Sequence, residues 1–161
     1  MVVSDTSPLN YLILIDHINL LPQLYGRVLI PESVLDELSA SETPQLVRNW
    51  AKNLPSWIEV SPAPTNDAGL TRLHAGERDA ILLALSVHAD AVLLDERRGR
   101  QEAENRGLKV IGMLGVLVAA HERGVIDLVA TIDALRQTNF HASPKLLASI
   151  VDRSLLPIKR D

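Results

Sequence analysis

Residues Leu73 to Arg100 read LHAGERDAILLALSVHADAVLLDERRGR and carry the clearest structural pattern of the chain. Ala80 to Leu85 have no polar break, so this segment predicts a helix that is apolar on nearly all sides and therefore buried. Ala91 to Leu94 have the length and the composition of a buried strand. A buried helix that leads directly into a buried strand is typical of a parallel sheet covered by helices.

Two pairs of acidic residues bracket this helix and strand. Glu77 and Asp79 open the helix, and Asp95 and Glu96 follow the strand. A helix that precedes a strand of a parallel sheet begins at the edge where that strand ends, so we expect the two pairs to lie close together. Carboxylates gathered in this way repel one another unless a cation lies among them.

Length and composition predict one aliphatic domain over residues 1–161, with a helical C-terminal segment from about residue 127. The chain is 47% hydrophobic and 22% charged, but only 3% aromatic. It contains no cysteine, which excludes disulfides, thiolate catalysis and cysteine-based metal sites and indicates a cytoplasmic protein. The first residues lack a basic start and are broken by Asp5, Pro8 and Asn10, so we predict neither a signal peptide nor a membrane span.

The net charge of −4 argues against a general electrostatic attraction to nucleic acid, because neutralising phosphates requires clustered lysine and arginine. Any contact with nucleic acid is therefore expected to be local. Arg97, Arg98 and Arg100 form the only dense basic cluster, and they follow directly on the second acidic pair. A solvated helix face explains them equally well.

The start of the chain predicts a first strand that ends at an acid. Met1 to Ser4 are suited to a short buried strand, and Ser7 with Pro8 indicates a helix that begins with serine as its N-cap. If Ser7 caps the helix, Asp5 has no capping role and stands free at the end of the strand.

The remaining pattern predicts an α/β domain with a mainly parallel sheet and helices on both faces. Further strands are predicted at Arg27 to Ile30, Trp57 to Val60 and Leu108 to Ile111, with helical segments between them. A site in such a fold is expected outside the carboxyl ends of the strands, near the switch in strand order. Asp5 and Asp95 both end their strands at that edge.

One further acid is expected to face inward. In the helix that Pro31 starts, Val34, Leu35 and Leu38 form an apolar stripe, and Glu37 borders that stripe. The candidate catalytic set is therefore Asp5, Glu37, Asp79 and Asp95, with Glu77 and Glu96 as alternative ligands. Taken singly, the acids after residue 70 are also explained as helix-dipole or capping residues, and Glu37 as an ordinary boundary residue.

Clustered carboxylates without histidine or cysteine suit Mg²⁺ or Mn²⁺, which are commonly shared with substrate phosphates. The predicted chemistry is metal-assisted hydrolysis of phosphodiester bonds. Ser7 is a candidate for binding phosphate or a metal-bound water, although an N-cap role is as good an explanation. Arg97, Arg98 and Arg100 are candidates for holding the nucleic-acid backbone.

Five ordered segments resemble the PIN-domain ribonucleases, in particular the branch close to the VapC-type toxins of toxin–antitoxin systems. The resemblance extends from the first residue to about Arg123. It is carried by DTSPLNYL (Asp5 to Leu12), IPESVLDEL (Ile30 to Leu38), GERDAILLAL (Gly76 to Leu85), LLDERRGR (Leu93 to Arg100) and GLKVIGMLGVL (Gly107 to Leu117).

The resemblance implies a three-layer α/β/α sandwich, Mg²⁺ or Mn²⁺ held by acidic residues, and endonucleolytic cleavage of RNA. By position, Asp5, Glu37, Asp79 and Asp95 match the four acids of the family. Glu77 competes with Asp79, and Glu96 competes with Asp95, because Leu93 and Leu94 stand where many members have a threonine two residues before the acid. The resemblance also implies a homodimer and a small antitoxin partner, which the segment from Asp127 onward is placed to contact.

Rival functions fit the sequence less well. The GMLG turn at Gly112 to Gly115 lacks the glycine spacing of a dinucleotide-binding loop. The SDTS start is similar to that of haloacid dehalogenase-type phosphatases, but Ser7 stands where these enzymes need a second aspartate. The main alternative is a non-catalytic PIN-like domain that binds RNA or protein.

Overall fold

The computed structural model describes residues 1–66 and 69–155, which form an α/β structure around a parallel sheet. The strands are β1 (Val2–Ser4), β2 (Val28–Pro31), β3 (Ile58–Ser61), β4 (Ala91–Leu93) and β5 (Val110–Ile111). The helices are α1 (Thr6–Leu14), α2 (Leu20–Tyr25), α3 (Glu32–Ser39), α4 (Gln45–Ala51), α5 (Ala75–Ser86), α6 (Arg97–Asn105), α7 (Met113–Glu122), α8 (Leu128–Arg136) and α9 (Pro144–Ser154).

The sheet places the first strand at its centre. The strand order is β3-β2-β1-β4-β5, and all four pairings are parallel. Ser4 is paired with Leu93, and the backbone N–H of Asp5 donates to the carbonyl oxygen of Leu93 at 3.0 Å. The chain places β2 and β3 on one side of β1 and then β4 and β5 on the other side. The strand order therefore switches between β1 and β4. The prediction of a mainly parallel α/β sheet is confirmed.

Alternating strand residues supply two separate cores, because successive side chains of a strand point to opposite faces of the sheet. Val2, Ile30 and Leu93 pack on one face against α1, α7 and their neighbours. Val3 and Val92 pack on the other face against α5 and α6. Helices therefore cover both faces of the sheet and make three layers, as expected.

The helix α5 is buried on most of its surface. Gly76, Glu77 and the whole run from Ala80 to Ala84 are buried, which agrees with the unbroken apolar sequence. The helix begins at Ala75, two residues before Glu77, and His74 occupies its N-cap position. Glu77 consequently sits at the third helical position rather than at the opening of the helix.

The predicted N-cap of the first helix is wrong. The helix α1 begins at Thr6, and Asp5 rather than Ser7 occupies the N-cap position with extended backbone angles. Pro8 is tolerated as the third helical residue because the first four N–H groups of a helix have no partner within it. The Asp5 side chain nevertheless makes no capping hydrogen bond, so its carboxyl group is left for another role.

In the described ranges, no helix combines the length and the hydropathy needed to cross a membrane.

Candidate metal site at the carboxyl edge of the sheet

Asp5 lies at the centre of the acidic edge, directly after β1. Its residue surface is only 4% exposed. The pKa of the Asp5 carboxyl group is raised from 3.8 to about 7, chiefly by burial and also by the charges of Glu77, Glu37 and Asp95, against the lowering effect of the Thr6 backbone N–H. The three other carboxylates therefore lie close enough to Asp5 to oppose its ionisation.

Glu37 reaches this edge from α3 and is fixed there by two donors. The Thr6 hydroxyl donates to Glu37 Oε2, and the Gly76 backbone N–H donates to Glu37 Oε1 at 3.0 Å. The helix wheel expectation that Glu37 faces inward is consistent with these contacts. Both carboxylate oxygens are held by neutral donors, so the charge of Glu37 is oriented but not neutralised.

Glu77 enters from the first turn of α5 and is the second deeply buried acid, at 5% exposure. Its Oε2 accepts a hydrogen bond from the His74 backbone N–H at 3.2 Å. Within the described residues, its Oε1 is buried and has no hydrogen-bond partner. Burial raises the pKa of Glu77, the His74 N–H lowers it, and nearby Glu96 raises it again. A buried carboxylate oxygen without a partner is costly, so this oxygen is a candidate ligand for a cation.

Asp95 follows β4 and faces Asp5 across the sheet edge. Its Oδ1 accepts from the Met113 backbone N–H at 2.7 Å, and its Oδ2 accepts from the Ser7 hydroxyl at 3.3 Å. Burial raises the pKa of Asp95, whereas these two hydrogen bonds and the nearby Arg100 lower it. The N-terminus of α7 thus orients Asp95 through a backbone donor.

Three glycines allow the backbone to approach these acids closely. A Cβ atom at Gly76 would lie 2.6 Å from Glu37 Oε2 and 2.8 Å from Asp5 Oδ1. A Cβ atom at Gly99 would lie 3.1 Å from Glu77 Oε1, and one at Gly112 would lie 3.3 Å from Asp95 Oδ1. A side chain at Gly76 therefore cannot be accommodated without displacing both carboxylates.

The remaining predicted site residues lie farther from this centre. Asp79 is a neighbour of Arg78, whose Nε donates to Asp79 Oδ1 at 2.8 Å, and it does not contribute to the pKa shift of Asp5. Glu96 is exposed at the N-cap position of α6. Of the basic cluster, Arg97 and Arg98 are exposed, while Arg100 is half-buried and donates to the Leu94 carbonyl oxygen at 3.2 Å.

Two adjoining clefts open at this edge. A cleft of about 370 Å³ is lined by Asp5, Glu37, Glu77, His74 and Asn10, among others. A larger cleft of about 850 Å³ begins at Asp95 and runs past β5 towards α9. Ser7 and Tyr11 line both clefts, so the acidic pocket is continuous with the larger cleft.

The carboxylate oxygens at this edge are the ligands that a divalent ion prefers, but in the described residues they do not converge on one point. Among the described residues, none of the ion pairs involves Asp5, Glu37 or Glu77. No group of three or more acidic or histidine side chains in residues 1–66 and 69–155 is arranged as a finished metal site. Both carboxylate oxygens of Glu37 and of Asp95 are held by neutral donors, so these two acids need side-chain rotation to join Asp5 and Glu77 around one ion. The unpartnered Glu77 oxygen and the raised pKa of Asp5 fit Mg²⁺ or Mn²⁺, which take hard oxygen ligands.

Sequence reasoning did not find several residues that shape this site. Thr6 and Gly76 hold Glu37, Tyr11 lines both clefts, and Phe140 packs against Tyr11 and lines the larger cleft. Gly76 stands at the second helical position of α5, where a glycine is unfavourable unless the backbone must approach another group closely. Phe140 is the only phenylalanine of the chain. A glycine near the start of a buried helix and a single phenylalanine were the two sequence features that could have indicated these residues.

The carboxylates are gathered at the carboxyl edge of a parallel α/β sheet, beside the switch in strand order, which is where ligands bind in open α/β sheets. The profile of the PIN-domain family matches residues 1–154, and the chain belongs to this family. PIN domains are generally nucleases and typically bind divalent metal ions. Searches of curated proteins and of solved structures returned no significant match.

Proposed function

We propose that this protein is an endoribonuclease that depends on Mg²⁺ or Mn²⁺ and hydrolyses phosphodiester bonds of RNA. The carrying observation is the buried Glu77 oxygen without a partner, which lies beside an Asp5 carboxyl group whose pKa is raised to about 7. Two buried acids of this kind are unfavourable in the absence of a cation and become favourable ligands in its presence. Family membership supports the nuclease assignment.

The proposed metal-holding residues are Asp5, Glu37, Glu77 and Asp95. We place Glu77 ahead of Asp79 in this set, because Asp79 is turned towards Arg78 while Glu77 is buried at the centre. We place Asp95 ahead of Glu96 for the same kind of reason, since Asp95 is anchored by Met113 and Ser7 whereas Glu96 is exposed.

A bound divalent ion lowers the pKa of a coordinated water and neutralises charge that develops on phosphate oxygens. The chain itself orients the carboxylates: Thr6 and Gly76 hold Glu37, and Ser7 and Met113 hold Asp95. Arg97 and Arg100 line the larger cleft together with Asp95, and we assign them to binding a substrate phosphate, with the exposed Arg98 as a further candidate.

The biological role that we propose is the toxin of a toxin–antitoxin module, as a homodimer in the cytoplasm with a small antitoxin. The motifs that resemble the VapC branch support this proposal. An open reading frame for a small protein next to the gene is the observation that checks it.

The decisive experiment measures cleavage of a fluorescent single-stranded RNA with Mg²⁺, with Mn²⁺ and with a chelator. Cleavage is expected only with a divalent ion, and Asp5→Asn is expected to reduce its rate by at least about 100-fold, since a metal ligand is lost. Asp36→Asn is the matched control, because Asp36 is the exposed neighbour of Glu37 on α3 and keeps the same change of charge.

The second candidate is a PIN-like domain that binds RNA or protein without cutting. It is favoured because, within the described residues, no three acidic or histidine side chains are grouped so that they could hold one metal ion. Binding of RNA without cleavage at any metal concentration, together with no thermal stabilisation by Mn²⁺, supports this candidate and contradicts the nuclease proposal.

A further inference from the structure

The connection between α8 and α9 is part of the site. Residues 137–143 lie more than 130 residues after Asp5, yet Phe140, His141 and Ala142 line the larger cleft together with Asp95. The sequence assigned this segment to contacts with protein partners. Its position beside the acidic edge also brings it within reach of a molecule bound in the larger cleft.

An aromatic pair fastens this segment to α1. The rings of Tyr11 and Phe140 meet edge to face, with centroids 5.0 Å apart and an angle of 82° between the planes. The Tyr11 hydroxyl donates to Asn139 Oδ1 at 3.0 Å, and the Phe140 backbone N–H donates to Thr138 Oγ1 at 3.2 Å. Phe140 is thus held in place by its neighbours, although its side chain is only half-buried.

An edge-to-face pair uses one face of one ring and the edge of the other, so flat aromatic surface remains for another partner. The cleft beside it has an apolar floor that includes Ile111 and Leu114. Its rim carries Arg97, Lys109 and His141, of which all three are exposed. An aromatic wall, an apolar floor and a basic rim are the combination that binds a base together with its phosphate.

We propose that Phe140, supported by Tyr11, is the stacking platform for the base next to the scissile phosphate of a single-stranded RNA. This inference rests on the proposed function, because the acidic pocket that adjoins the cleft defines which phosphate is cut. The cleft volume of about 850 Å³ accommodates one or two nucleotides. A duplex does not fit this arrangement, because its bases are already stacked on one another.

The test uses the full chain carrying Asp5→Asn, which leaves RNA intact, and a single-stranded RNA hexamer with 2-aminopurine at successive positions. Binding is expected to quench 2-aminopurine at one position in particular. Phe140→Ala is expected to abolish this quenching and to weaken binding about 5- to 50-fold. The same sequence in a hairpin stem is expected to bind at least about tenfold more weakly than the single strand.

Two further variants guard against misfolding and nonspecific effects. Phe140→Leu keeps an apolar side chain of similar volume, so it is expected to preserve the melting temperature while losing the quenching. Val129→Ala removes an exposed apolar side chain of α8 outside the cleft and is expected to leave both signals unchanged. Unchanged quenching and affinity in both Phe140 variants overturn the proposal, and so does a Phe140-dependent dimer in light scattering without any nucleotide signal.

The outcomes separate this inference from the proposed function. If the wild-type chain cuts RNA and both Phe140 variants retain its kcat/KM, the stacking platform is refuted and the nuclease stands. If the wild-type chain does not cut RNA but quenching still depends on Phe140, the platform stands and the nuclease is refuted.

Discussion

At the scale of single residues, Asp5 shows how one buried carboxyl group links stability to function. Its folded-state pKa of about 7 lies above the ordinary value of 3.8. The folded metal-free protein therefore binds more protons than the unfolded chain between these two pH values. Because of Asp5, the free energy of unfolding of the metal-free protein falls as pH rises from about 4 to about 7. The whole of this loss of stability is present above pH 7. The sign is opposite to that of an aspartate in a salt bridge.

Asp5→Asn is expected to stabilise the metal-free protein at alkaline pH, because the amide carries no charge that burial opposes. At pH 8 in a chelator, the free energy of unfolding is expected to rise by up to about 4 kcal/mol. The gain is expected to shrink towards zero as pH falls to about 4. Urea unfolding of both proteins over this range measures the difference. A difference that does not change with pH contradicts the assigned role of burial.

Prediction from the sequence succeeded for a residue whose position follows directly from the strand pattern. Asp5 was expected at the end of the first strand and is there. The choice between Glu77 and Asp79 was left open, because α5 is buried on nearly all sides and has no polar face that would orient either acid. The contacts of Glu37 with Thr6 and Gly76 join parts of the chain that are distant in sequence, so no local pattern discloses them.

At the scale of elements, Glu77 at the start of α5 has both a structural and a chemical role. Glu77 Oε2 accepts a hydrogen bond from the His74 backbone N–H at the helix start, while Glu77 Oε1 is buried and, within the described residues, has no hydrogen-bond partner. A glutamine retains the hydrogen-bonding role of such a residue but not its charge. The two roles are therefore separable by one substitution.

Glu77→Gln is expected to fold normally and to lose most of the stabilisation by Mn²⁺. At Mn²⁺ concentrations about 100 times the dissociation constant, the wild-type melting temperature is expected to rise by roughly 5–10 °C. Asp79→Asn is the matched control in the same helical turn, and its rise is expected to equal that of the wild type. The opposite result, with the rise lost only in Asp79→Asn, would assign the ligand to Asp79.

Elements were predicted well because each strand is a short apolar run and each helix has a clear start or stop. Boundaries were less secure. The strand β4 ends at Leu93 and β5 contains only Val110 and Ile111, because the sheet pairing ends there and not because the apolar run does. The prediction of Ser7 as an N-cap failed since the helix follows β1 after a single residue.

At the scale of the whole molecule, the net charge of −4 argues against a general attraction for RNA, so the proposed contact is with the basic residues of the larger cleft. Arg97, Arg100, Lys109 and His141 line it, next to the acids. Few phosphates can be neutralised by so small a set, so RNA affinity is expected to depend only moderately on salt.

The logarithm of the RNA association constant, measured with the Asp5→Asn protein, is expected to fall against the logarithm of salt concentration with a slope of about −2. Arg97→Ala is expected to weaken binding several-fold and to make this slope shallower by about 0.7, because one phosphate contact is lost. Lys52→Ala is the control, since Lys52 is exposed after α4, on the way to the opposite edge strand β3. Equal slopes for all three proteins would place the RNA elsewhere.

The close approach at Gly76 has a consequence for recognising inactive relatives. A methyl group at this position would collide with the oxygens of both Glu37 and Asp5 while leaving every acid of the motif in the sequence. If the proposed function holds, such a protein is expected to have displaced ligands and reduced activity although inspection of the acidic motif alone would count it as active. Surveys of catalytic capacity in chains of this kind therefore need to read this glycine alongside the carboxylates.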